Sequence, residues 1–181
     1  MKNSVTEQIL LRLYDSIDYG FSYRAKKMFG IEDLFPSSNR KKIKKEEIKD
    51  SFKNLKRLKF VQQKTQYDGS IIVSLSEKGK LRALNIRFRR LNDKKEHWDK
   101  KWRMVSFDIP NTHRKGRDAI RYRLRSGGFY EVQESMFIYP YNCEREIRDL
   151  AALFKLEKYV CFALLDFIDG QDGLIKLFKL N

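Results

Sequence analysis

Residues 102–167 alternate strand-like and helix-like periodicity in the order β-α-β-β-α-β, and few folds accept that order. The first run, 104–109, is apolar-rich and carries the carboxylate of Asp108 near its end. It is stopped by Pro110, which has no N–H to give to a ladder. In 114–125, Ile120 and Leu124 lie four apart on one helical face, with Arg117, Arg121, Arg123 and Arg125 on the rest. Gly127 and Gly128 close that helix. Two short strand-like runs follow, 129–133 and 135–139. A second helical pattern over 144–155 carries Ile147, Leu150, Ala151 and Phe154, and 159–167 is rich in aromatic and branched apolar residues. The pattern predicts an α+β domain of the split βαβ, or ferredoxin-like, kind.

Three phrases carry a resemblance: WRMVSFDIP over 102–110, the basic helix ending in Gly127-Gly128-Phe129, and VQESMFIYP over 132–140. Together they resemble the CRISPR-associated protein 2 fold. More closely, they are similar to the middle domain of the phenylacetate-operon repressor (PaaX) family, which the resemblance implies lies behind a winged helix. The family's longer members carry a further carboxy-terminal domain and respond to aryl-coenzyme A ligands. This sequence, ending at Asn181, is read as lacking that domain, and no small-molecule effector is assigned to it.

At 181 residues, with 41% hydrophobic and 13% aromatic content, the chain can bury one or two modest cores. No apolar run approaches the roughly 20 residues of a membrane span, so a cytoplasmic protein is expected. Cys143 and Cys161 are isolated, without the paired spacing of a zinc site, and read as free thiols. Charge divides unevenly. Residues 1–100 hold 25 Lys and Arg against 13 Asp and Glu, a net +12, whereas 101–181 hold 14 against 11, a net +3. A polyanion partner is therefore expected at the amino-terminal half.

Ser4 or Thr6 can cap a first helix whose stripe is Ile9, Leu10, Leu13 and Ile17, ending near Gly20. The segment 21–34 is ambiguous: Tyr23, Lys27 and Ile31 recur at helical spacing, but Gly30 interrupts them. A loop follows at Pro36-Ser37-Ser38-Asn39. Residues 44–58 form a strong helical pattern, with Ile48, Phe52 and Leu55 on one face and Lys45, Lys49, Lys53 and Lys56 along an offset stripe. Strands are expected at 60–66 and 71–75, joined at Tyr67-Asp68-Gly69-Ser70, where Asp-Gly can take positive φ angles. Helix, helix, basic helix and hairpin is the winged helix-turn-helix order, in which the third helix enters the major groove and the wing touches flanking backbone.

NLKRLKFV over 54–61 and IVSLSEKG over 72–79 also resemble the repressor family, on Leu55, Arg57, Leu58, Leu75 and Gly79. The match departs at Lys59, where related winged helices often have glycine. A connecting helix is expected over 76–91, capped by Ser76, and a charged hinge over 92–100. The expected domains are thus 1–91 and 101–181, with the hinge between them.

Few residues suggest catalysis. In CRISPR-associated protein 2 an aspartate at the end of the first strand is proposed to bind metal in a dimeric nuclease site, and Asp108 matches that position. Two such carboxylates across a twofold axis could hold Mg or Mn and activate a water. The structural alternative has Asp108 accept amides near Pro110 and Asn111, or pair with an arginine. His113 and His97 are expected to face solvent. No nucleophile with an adjacent base and no phosphate loop is present, since Gly127-Gly128 follows a helix instead of opening one.

The expectation is a DNA-binding transcriptional regulator, a repressor acting as a homodimer on a palindromic operator in double-stranded DNA, with no cofactor. Lys45, Lys49, Lys53, Lys56 and Arg57 would meet phosphates or base edges, and Lys64 and Tyr67 the flanking backbone. The run 174–180, after the Asp169-Gly170 turn, is read as a strand that extends the sheet towards a second copy. The rival is a metal-dependent nuclease or CRISPR adaptation subunit using Asp108.

Overall fold

The computed structural model describes residues 4–16, 22–25, 43–93 and 97–180. The chain divides into two compact units, Met1–Ile86 and Arg87–Asn181.

In the first unit, helix α1 (Val5–Asp15) is capped by Ser4, whose Oγ accepts the Glu7 N–H at 3.2 Å. Ile9, Leu10 and Leu13 are buried as their spacing requires, together with Val5, Leu11 and Tyr14. Strand β1 (Ser22–Ala25) resolves part of the ambiguous 21–34 segment. The rest of that segment, with any second helix, and the loop at 36–39 lie outside the described residues. Helix α2 (Lys45–Arg57) buries Ile48, Phe52 and Leu55, and α1 packs against it. Strands β2 (Val61–Thr65) and β3 (Ile71–Leu75) form a hairpin with Val61 opposite Leu75. β1 adds to the other side of β3, giving the sheet order β1-β3-β2. β3 buries Ile71, Val73 and Leu75, the alternation of a strand with one face inward.

Helix α3 (Glu77–Asn92) follows, and the division between the units falls within it. Its start is pinned to the corner between α2 and β2. Ser76 Oγ accepts the Gly79 N–H at 3.0 Å and donates to Lys59 O at 2.7 Å. The Ser76 N–H donates to Phe60 O at 3.0 Å. Gly79 is required there, because a Cβ would stand 2.0 Å from Phe60 O.

In the second unit the order is β4 (Trp102–Phe107), α4 (Arg114–Ser126), β5 (Tyr130–Gln133), β6 (Met136–Tyr139), α5 (Glu144–Leu153) and β7 (Val160–Leu165), the β-α-β-β-α-β order expected from periodicity. The sheet runs β5-β6-β4-β7, every neighbour antiparallel. Strand register puts Val105, Phe107, Phe137 and Phe162 on one face, with the Phe107 and Phe137 rings 6.0 Å apart. Trp102, Met104, Ile138 and Leu165 share the other face. α4 ends as its glycines direct: Gly128, at φ 79°, lets the Phe129 N–H reach back to Leu124 O at 3.1 Å.

The run 174–180 departs from expectation. It is not a strand but part of helix α6 (Gln171–Phe178). Leu174, Ile175 and Phe178 recur at helical spacing and gather with Trp102 and Ile138 in one apolar cluster that Leu180 joins. Burying that stripe against the sheet outweighs any edge pairing the run could make. In the segment expected as a hinge, residues 94–96 lie outside the described residues. Beyond them the Trp98 ring packs 4.9 Å from Trp102, and Asp99 makes two 2.6 Å bonds to the buried Arg103 guanidinium. Arg103 also donates to Lys101 O and Pro140 O, both at 2.8 Å.

Candidate nucleic-acid interface

α2 places all five of its expected contacts on the surface: Lys45, Lys49, Lys53, Lys56 and Arg57 are exposed. At about 100° per residue, the mean direction of these five lies roughly 100° around the helix from the Ile48-Phe52-Leu55 stripe. One helix can therefore pack with one side and offer cations with the adjacent side. Glu46 and Glu47 occupy the first turn and Lys56 and Arg57 the last, the arrangement that the helix dipole favours.

Two of the cations are oriented by neighbours. Lys56 Nζ donates to Gln63 Oε1 at 3.0 Å, tying the last turn of α2 to β2. Arg57 Nη2 donates to Asn54 Oδ1 at 2.9 Å. Lys53 lies 3.6 Å from Asp50, with both side chains more than 70% exposed, a pair worth well under about 1 kcal/mol that phosphate can replace.

The hairpin presents the other two. Lys64 is exposed on β2, and Tyr67 is fully exposed at the tip. The tip differs from the expected Asp-Gly turn: Gly69 alone takes a positive φ, 75°. Gln66 pairs with Ser70 through a 2.8 Å backbone bond, and Asp68 Oδ1 accepts the Ser70 N–H at 3.0 Å. This is the three-residue loop with a left-handed glycine, which matches the right-handed twist of the strands.

Sequence reasoning left the corner itself in doubt. Lys59 takes φ 57°, the conformation a glycine would supply. Its N–H donates to Lys56 O at 2.9 Å and that of Phe60 to Leu55 O at 3.0 Å, the paired bonds of a Schellman ending. Lysine therefore makes the same turn as glycine, at a cost of roughly 1–2 kcal/mol. Lys78 supports the corner by donating to Leu58 O at 3.3 Å over the Phe60 ring. Lys59 and Lys78 are thus two cations beside α2 that the spacing argument passed over; only the departure at Lys59 pointed to one of them.

Asp108 lies just beyond β4, exposed. Its N–H donates to Tyr159 O at 3.0 Å, but its carboxylate has no hydrogen bond or ion pair among the described residues. Neither expected structural partner holds it: Arg117 instead donates to Ile109 O at 3.3 Å and Asn111 Oδ1 at 3.2 Å. Among the described residues no three carboxylate, imidazole or thiol groups gather as a metal site. Asp108 supplies one carboxylate per chain, so a cation there would draw its remaining oxygen ligands from water or from a second copy. His113 and His97 are exposed, with the His113 ring 5.7 Å from Tyr159. Cys143 is buried and Cys161 exposed, and neither is in a disulfide.

Helices and an antiparallel sheet in this order define an α+β protein whose second unit is a split βαβ domain. Residues 95–173 match the family model described as the PaaX protein central Cas2-like domain. That segment is similar to the central domain of the PaaX-type family, as the phrases at 102–110 and 132–140 indicated. No curated protein and no solved structure matches the chain.

Proposed function

We propose that the protein is a sequence-specific transcriptional regulator, a repressor that binds palindromic double-stranded DNA as a homodimer. Residues 1–91 act as a winged helix-turn-helix with its connecting helix, 92–100 as the hinge, and 101–181 as the dimerisation domain. α2 enters the major groove, where Lys45, Lys49, Lys53, Lys56 and Arg57 neutralise phosphates or reach base edges; Lys64 and Tyr67 grip the adjoining backbone. The observation that carries this reading is the exposed basic side of α2, joined to the hairpin by the Lys56–Gln63 bond. The PaaX-type domain behind it adds support. No described helix is long and apolar enough to cross a membrane, and we place the protein in the cytoplasm.

The test is retention of genomic fragments by the purified protein at physiological salt in chelator. A few promoter fragments sharing an inverted repeat should be enriched. Retention without sequence preference would count against the reading, since nonspecific phosphate binding is what remains when base contacts are absent.

The unpartnered Asp108 carboxylate favours a second reading, a nuclease assembled only when two copies bring two carboxylates together. Magnesium- or manganese-dependent cleavage lost in Asp108→Ala would establish it. DNA binding unchanged in that variant, with no cleavage by the parent protein, would leave the regulator.

A further inference from the structure

Position around α2 divides its polar residues into two groups. The buried Ile48, Phe52 and Leu55 mark the inward direction. At about 100° per residue, Lys45, Lys49 and Lys56 lie only about 50–95° from that direction. The Lys56–Gln63 bond shows that this is the side towards the hairpin. Asp50 and Arg57 lie within about 15° of the direction opposite the core, with Lys53 and Asn54 about 50° to either side of it. The line that would enter a groove first is therefore not the lysine stripe. It carries Asp50 and Arg57, both exposed, with Asn54 half-buried beside them.

Neither of these outward residues is explained by charge alone. Glu46 and Glu47 sit in the first turn, where the helix dipole favours carboxylates, but Asp50 lies beyond it. Its pairing with Lys53 at 3.6 Å joins two side chains that are 75% and 79% exposed, a weak tie. A carboxylate on the outermost line repels phosphate and so weakens binding to any duplex, a loss that is offset only where a base edge donates to it. Arg57 differs from the lysines in another way. Its Nη2 donates to Asn54 Oδ1 at 2.9 Å, which holds the plane of the guanidinium. A planar fork in one orientation suits the two acceptors of a guanine edge, whereas a lysine point charge suits phosphate.

We propose that Asp50 and Arg57 read base edges in the major groove, that Asn54 is a positioning residue for Arg57, and that Lys45, Lys49, Lys53 and Lys56 hold phosphates. The inference rests on the regulator reading and names its specificity-determining residues. Asp50 accepts from the N4 amine of a cytosine, and Arg57 donates to O6 and N7 of a guanine. Seven residues of helix separate the two, about 10.5 Å, so the bases they read lie roughly three base-pair steps apart. A phosphate that takes Lys53 from Asp50 leaves that carboxylate free for its base.

The test selects binding sites from a random duplex library with the full chain, in chelator at physiological salt, for the parent protein, Asp50→Asn, Asn54→Ala and Lys49→Ala. The parent should select a motif containing a cytosine and a guanine at that separation. Asp50→Asn should lower the preference for the cytosine about tenfold in favour of adenine, whose N6 and N7 suit an amide. It should also hold random-sequence duplex more tightly than the parent does. Asn54→Ala should flatten the guanine position about tenfold, with the salt slope and the urea midpoint unchanged. A purely structural asparagine would do the reverse, moving the midpoint and leaving the motif. Lys49→Ala should keep the motif and lose about 0.9 of the log–log salt slope. A motif unchanged in either Asp50→Asn or Asn54→Ala, or altered in Lys49→Ala, would overturn the proposal and leave the regulator standing. A parent that selects no motif sinks the regulator reading, and base readout by α2 with it.

Discussion

Lys59, Lys155 and Lys179 all take positive φ, between 53° and 57°, at the ends of helices, where glycine would rest without strain. Lys59→Gly should raise the urea midpoint, by up to about 1 kcal/mol in stability once the added freedom of the unfolded glycine is set against the relieved strain. A lower midpoint would show that the lysine stem packs as well as turns. Gly79 is the converse case. With Phe60 O at 2.0 Å from its missing Cβ, Gly79→Ala must push the helix start off the corner and should destabilise by about 2–3 kcal/mol in the same measurement. Asp99 supplies a pH signature. Its hydrogen bonds to Arg103 hold its carboxyl below the ordinary carboxylate range. The stabilisation is therefore complete above about pH 4, the unfolded value, and is lost as pH falls through the lower folded one. Urea unfolding between neutral pH and acid should show a steeper loss for the parent protein than for Asp99→Asn. Equal slopes would mean that Asp99 binds protons alike in the folded and unfolded chain, and that the pair adds no pH-dependent stability.

Helices with one apolar stripe were legible from spacing alone: Ile48, Phe52 and Leu55 in α2, and Ile120 and Leu124 in α4, are buried as that spacing requires. β1 was not, because its partner is the free side of β3, about fifty residues away, and local periodicity carries no trace of such a pairing. The helix α6 escaped for a related reason. Leu174 to Leu180 is apolar enough to suit either state, and the deciding cluster with Trp102 and Ile138 is likewise remote in sequence. The five cations of α2 were legible as an exposed basic stripe, whereas the Gln63 bond that orients Lys56 was not, since it needs the hairpin in place. For α2, the expected outcome is that Lys49→Ala and Lys53→Ala each weaken operator binding and shallow the salt dependence by about 0.9 in log–log slope, the signature of one lost phosphate contact. A weaker complex with unchanged slope would move the lysine from phosphate to base. Tyr67→Ala should lower retention on DNA while leaving the urea midpoint in place, because a fully exposed ring contributes nothing to the core.

For the whole chain, charge and family likeness divide by position: most of the net positive charge lies before residue 101, and the match to the PaaX central Cas2-like domain lies from 95 onward. The Glu131–Arg125 pair on β5, beside a register shift between Glu131 and Gln133, has a meaning beyond its own bonds. With both edges of a sheet receptive, head-to-tail addition has no closing symmetry, and the product is a fibre. The closed β5 edge denies that addition on its side of the sheet.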